Sequence, residues 1–116
     1  MQARRISREN EGFYAALGPV FGSRIIERET HDRFYDDPDK IWYIVDQGAA
    51  SVLNGVIRNF YAADDARAES IIAAMQADYP RLTGVAPRKY KKIFEKRGFR
   101  AKEYRKNFIE VLYEAD

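Results

Sequence analysis

Residues 40–65 read KIWYIVDQGAASVLNGVIRNFYAADD. Ile41–Val45 is a run of β-branched and aromatic residues, the composition that fits a pleated, half-buried surface. Asn54-Gly55 is a strong short hairpin signal, because a type I′ turn needs positive φ at both central positions. Gln47-Gly48 marks a second tight turn. The stretch therefore predicts an antiparallel meander with strands at 41–46, 49–53 and 56–62. Asp64 or Asp65 then caps a helix carrying Ile71, Ile72 and Met75, which ends near Tyr79-Pro80.

On the N-terminal side, ARRIS (3–7) is a first strand. Phe13, Ala16, Leu17 and Val20 follow the helical period, and Gly18-Pro19 ends or kinks that piece. Ser23 caps a second helix with Ile26, Thr30 and Phe34 on one stripe, closed by Asp36-Asp37-Pro38. On the C-terminal side, RLTGVA (81–86) is a short strand. A helix over 88–97 follows, with Pro87 near its start and Tyr90, Ile93, Phe94 and Arg97 on one stripe. Gly98 is placed where a helix end enters the left-handed region without a Cβ penalty. The final run, 108–113, puts Ile109, Val111 and Tyr113 on one face and Phe108 and Leu112 on the other. Two apolar faces predict an interior strand of a covered sheet. The order β-α-α-β-β-β-α-β-α-β-β predicts one α+β domain over residues 1–116. Its expected core is a mixed, mostly antiparallel sheet of about six to seven strands with helices packed on it.

The 116 residues are 46% hydrophobic, a proportion ordinary for a globular domain. Cysteine is absent, which excludes disulfide and thiolate chemistry, and with His31 the only histidine no zinc or other metal site is expected. Asp36-Asp37-x-Asp39 lacks the glycine and distal glutamate of a calcium loop. There is no nucleophile elbow and no Walker loop. No run approaches a membrane span, and MQARRISREN lacks the apolar centre of a signal peptide. The expectation is a soluble, cytoplasmic chain without membrane contact. The net charge of +2 conceals an asymmetry: Lys/Arg number 9 against 13 Asp/Glu over 1–80, 11 against 2 over 81–107, and 0 against 3 over 108–116. A basic segment beside an acidic body marks a surface for phosphates or an acidic partner, or else a solvated face.

The order of elements and several stretches together resemble the GNAT family of acyl-CoA-dependent N-acetyltransferases. KIFEKRGF (92–99) followed by NFIEVLY (107–113) is similar to that family's last helix, its Gly-Phe break and its closing strands. KIWYIVDQG (40–48) is similar to its second strand and turn, and NFYAADDARAESIIAAM (59–75) to its fourth strand and cofactor-binding helix. The resemblance spans nearly the whole chain and implies acetyl-CoA as cofactor. It also implies a pyrophosphate loop of the form Arg/Gln-x-x-Gly-x-Gly/Ala, whose counterparts are Arg67, Ala68, Ser70, Ile71 and Ile72 around Glu69. The arginine is kept, but Ser70 and Ile72 stand where little or no side chain is wanted for backbone N–H groups to reach phosphates. The expectation is therefore weak acetyl-CoA binding or, the first-ranked alternative, none. The family's acid tyrosine falls on Phe94, which has no proton to give, and an asparagine one to two turns earlier falls near Pro87. Tyr90, one turn before Phe94, is the remaining candidate catalytic acid. Asp64, Asp65 and Glu110 are candidate bases, each also readable as a cap or a surface charge.

Three functions follow. The first-ranked is a small, degenerate GNAT-like protein that binds a macromolecular partner, of the kind a phage or mobile element would use against a host protein. Its partner-binding residues would be Arg88, Lys89, Lys91, Lys92, Lys96 and Arg97, facing an acidic protein or a nucleic acid. The second is an active acetyl-CoA-dependent N-acetyltransferase, which leaves the enzymatic assignment open. The third is a nucleic-acid-binding module that uses the cations of 88–106 interleaved with Tyr90 and Tyr104.

Overall fold

The structure, a computed structural model, describes all of residues 1–116. Its elements in chain order are β1 (Arg4–Ile6), α1 (Phe13–Leu17), α2 (Arg24–Thr30), β2 (Ile41–Val45), β3 (Gly48–Leu53), β4 (Val56–Ala62), α3 (Asp65–Asp78), β5 (Arg81–Pro87), a 3-10 turn (Arg88–Tyr90), α4 (Lys91–Lys96), β6 (Arg100–Arg105) and β7 (Phe108–Glu114). The strands form one seven-stranded sheet in the order β1-β2-β3-β4-β5-β7-β6. Every neighbouring pair is antiparallel except β4 and β5. No helix is long and apolar enough to cross a membrane.

The meander forms as its turns predict. Asn54 and Gly55 both adopt positive φ, 52° and 77°. The first turn is displaced by one residue. It is made by Asp46 and Gln47 (φ 59°), and Gly48 pairs with Val45 as the opening residue of β3. A Cβ on Gly48 would lie 2.9 Å from the Val45 side chain and 3.0 Å from Ile71, so glycine serves there for close packing rather than for turning.

The second helix is shorter than its stripe suggests. It stops at Thr30, with His31 in the left-handed region at φ 57° rather than at Asp36-Asp37-Pro38. The Thr30 hydroxyl donates to the Ile26 carbonyl (2.7 Å) and accepts from the Asp32 amide (3.2 Å). A hydroxyl that bonds the backbone locally competes with continuation of the helix. Phe34 is buried all the same, from an extended segment. The expected helix over 88–97 is divided into the 3-10 turn and α4, with Gly98 at φ 89° behind it.

Two apolar clusters cover the sheet. Phe13, Leu17 and Ile26 from α1 and α2 pack with Phe34, Trp42 and Ala49 on one face. On the other face α3 and α4 bury Ile71, Ile72, Met75, Ile93 and Phe94 against Tyr43, Phe60, Leu82, Ile109 and Val111. β7 is interior, between β5 and β6, as its sequence indicates. Only one of its faces is covered, however: Phe108 and Leu112 remain partly exposed. The helices α1 and α2 stop short of the β5-β7-β6 half of the sheet.

Candidate functional site

Strands β4 and β5 pair in parallel only at Val56↔Thr83 and Ile57↔Gly84. Contact there is tight, because a Cβ on Gly84 (φ 151°) would sit 2.4 Å from the Ile57 carbonyl oxygen. Beyond this point the strands diverge into a wedge. A bulge in β4 precedes the wedge: Ser51 faces Asn59 and Val52 faces Ile57, which leaves Arg58 unpaired.

Tyr90 fills the wedge. Its ring packs edge-on against Phe60, and Phe60 packs in turn on Phe94. The Tyr90 hydroxyl donates to the Ala62 carbonyl (2.8 Å) and accepts from the Ala62 amide (2.9 Å). Both peptide groups of Ala62 point into the gap that a paired β5 would close, and a buried backbone group must find a partner. The phenol takes the place of one residue of the absent strand. Burial raises the Tyr90 pKa above its ordinary value. Of the sequence-based candidate bases, Asp64 caps α3. Glu110 alternates with Ile109 and Val111 and so projects from the sheet face opposite Tyr90.

The start of α3 is occupied by the chain's own carboxylate. The Asp64 side chain accepts from the Arg67 amide at 2.9 Å, a bond that lowers its pKa. The Arg67 guanidinium is held in place as well, donating to the Asp46 carbonyl oxygen (2.8 Å) and pairing with Asp64. Asp46, Asp64 and Asp65 thus gather where a helix dipole favours an anion. Ala68, Ile71 and Ile72 are fully buried beneath the helix. Ile72 therefore belongs to the core and does not crowd the start of the helix. The Ser70 hydroxyl reaches the Met1 carbonyl oxygen at 3.3 Å.

The basic segment does not form one free face. Arg88 and Lys91 lie beside Glu103, Lys89 beside Glu29, and Lys96 and Arg97 beside Glu69. Of the six sequence-based partner residues only Lys92 has no carboxylate within 4 Å. The cations of this half of the molecule that lack such a partner are Arg58, Arg81, Lys92, Lys102, Arg105 and Lys106.

The bulge also builds a polar network that sequence reasoning missed. Asn59 is buried, its Oδ1 accepting from Ser51 (2.6 Å) and Lys40 (3.0 Å), and its Nδ2 donating to Asp32 (2.9 Å). Burial lowers the Lys40 pKa. The four residues are far apart in sequence and follow no motif, so nothing local announced them.

No known family matches this chain, and no curated protein or solved structure does either.

Proposed function

We propose that this chain is a GNAT-fold protein that does not use acyl-CoA and acts by binding a macromolecular partner. The element order and the parallel strand pair that opens into a wedge support the fold part of this reading. The observation that carries the functional part is the Tyr90 hydroxyl bound to both peptide groups of Ala62. Open strand-edge groups at this place could pair with an extended amide-bearing ligand such as the pantetheine arm of acyl-CoA; here they are already satisfied from within. The aspartates around α3 oppose a pyrophosphate at the same end of the molecule. Tyr90 is then a structural plug rather than a catalytic acid.

Calorimetric titration with acetyl-CoA tests the reading. The expected outcome is no saturable heat at millimolar cofactor. A low-micromolar dissociation constant, about −8 kcal/mol, would overturn it and return the chain to the acetyltransferases.

A further inference from the structure

The half of the sheet that α1 and α2 leave uncovered is concave and basic. Arg81, Thr83 and Val85 alternate with the buried Leu82 and Ala86 and so project from the open face. Leu112 stands opposite both Thr83 and Arg100, and Glu110 opposite both Val85 and Lys102. The result is a trough floored by Thr83, Val85, Leu112 and Glu110, with Arg81 on one side and Arg100 and Lys102 on the other. Its rims are two strand spacings apart, about 10 Å. Its volume is about 670 Å³. A second hollow of about 250 Å³, lined by Arg58, Tyr104, Arg105 and Phe108, adjoins the first across Val85, and the two together are taken as one groove.

Charge in this groove is unbalanced. Arg58, Arg81, Arg100, Lys102 and Arg105 line it, against Glu110, Asp32 and, at the Arg81 end of the same face, Glu114. Asp32 already accepts a bond from Asn59. Only Arg100 among the five cations approaches a carboxylate, Glu114 at 3.8 Å, and its side chain stays 80% exposed. Arg100 and Lys102 are two residues apart on one strand face, about 7 Å along it. At the far end Tyr104 is 44% exposed, with the Arg105 guanidinium 4.9 Å from its ring centroid, and Phe108 is partly exposed beside it.

We propose that this groove binds single-stranded nucleic acid, with the cations tracking the phosphates and Tyr104 and Phe108 stacking on bases. The assignment rests on the binding half of the function proposed above. A basic trough with aromatic faces at one end suits a strand whose bases are free to stack. An acidic peptide would match the charge but has no use for the aromatic end.

Fluorescence anisotropy tests this with labelled twelve-nucleotide dT and rU oligomers, a duplex of equal length and a labelled poly-glutamate peptide, on the full chain at 50–200 mM salt. Single strands should bind tightest, with a log–log salt slope of about −2 to −3.5, as expected for three to five phosphates. Lys102→Glu and Arg81→Glu should each weaken binding at least about tenfold. Tyr104→Ala should weaken it about five- to 150-fold while leaving the slope unchanged. Lys92→Glu, on α4, should leave affinity within about twofold. These positions are exposed, and circular dichroism melts verify folding. Tighter binding of poly-glutamate, equal loss on Lys92→Glu, absence of oligomer binding, or a dimer by light scattering that buries this face would each overturn the proposal. Oligomer failure overturns this assignment whatever acetyl-CoA does, and acetyl-CoA binding overturns the functional reading above whatever the oligomer does.

Discussion

Tyr90 shows how much one hydroxyl can carry. Its ring belongs to the apolar stripe of the last helical segment, and the sequence places it there correctly. Its oxygen meets Ala62, 28 residues earlier. Tyr90→Phe keeps the ring against Phe60 and leaves two buried backbone groups without a partner. The expected loss is roughly 1–3 kcal/mol, read as a lower urea midpoint at unchanged m-value. A midpoint within error of the parent would mean that water replaces the phenol and that the wedge is open. Thr30 makes the opposite point. Its local bonds to Ile26 and Asp32 end α2 early, although the apolar period through Phe34 continues. Periodicity reports burial, and Phe34 is buried, but it does not report which backbone conformation delivers the side chain.

Among the elements, the β4/β5 pair is the junction on which the rest depends. The two strands touch over two residue pairs, and Gly84 permits that approach. Gly84→Ala would drive a Cβ into the Ile57 carbonyl oxygen and to within 2.7 Å of its amide nitrogen, in a conformation that L side chains rarely adopt. A native conformation incompatible with the new residue destabilises by more than about 1 kcal/mol, and the melting temperature should fall by several degrees. Amide exchange should quicken at Val56, Ile57 and Thr83 before it does in β2 or β3. A variant as stable as the parent would show that β4 can withdraw freely. RLTGVA identified the strand containing this glycine. It did not identify the glycine's task, because the neighbouring backbone lies 27 residues upstream. The run 108–113 likewise announced an interior strand, yet apolar residues on both faces did not guarantee helices over both. Alternation distinguishes the two faces of a strand, whereas cover is supplied by other elements, and α1 and α2 are too short to reach it.

At the scale of the molecule, stability should depend on alkaline pH through its buried phenols. The Tyr43 hydroxyl on β2 donates to Asp78 at the end of α3 (2.7 Å), tying the sheet to the helix. Burial, and then the bond to Asp78, raise the Tyr43 pKa above its ordinary value. The unfolded chain therefore releases this proton first as pH rises. The stabilisation is complete below the unfolded value near about pH 10 and is lost progressively above it. Melting temperatures from pH 8 to 11 should fall beyond pH 10, and Tyr43→Phe should flatten the decline. An identical pH profile for that variant would place the alkaline sensitivity elsewhere, with Tyr90 the next phenol to test.

Local signals sufficed for the meander, the Asn54-Gly55 turn, the Asp64 cap and the glycine stop at 98, because each is made by residues within a few positions of one another. They also sufficed for the α+β layout with one mixed, mostly antiparallel sheet of about six to seven strands; the structure has seven. Which cations stand without a carboxylate was decided only by folding. Charge counting singled out the basic run of 88–97, and Glu29, Glu69 and Glu103 come from three other elements to lie beside it. Most of the cations left without a carboxylate, Arg58, Arg81, Lys102 and Arg105, border the bare sheet face, whereas Lys92 stays on α4. Pairing and cover are both long-range properties: they depend on which distant side chain or helix arrives at a residue, and no pattern of that residue's own neighbours encodes the arrival.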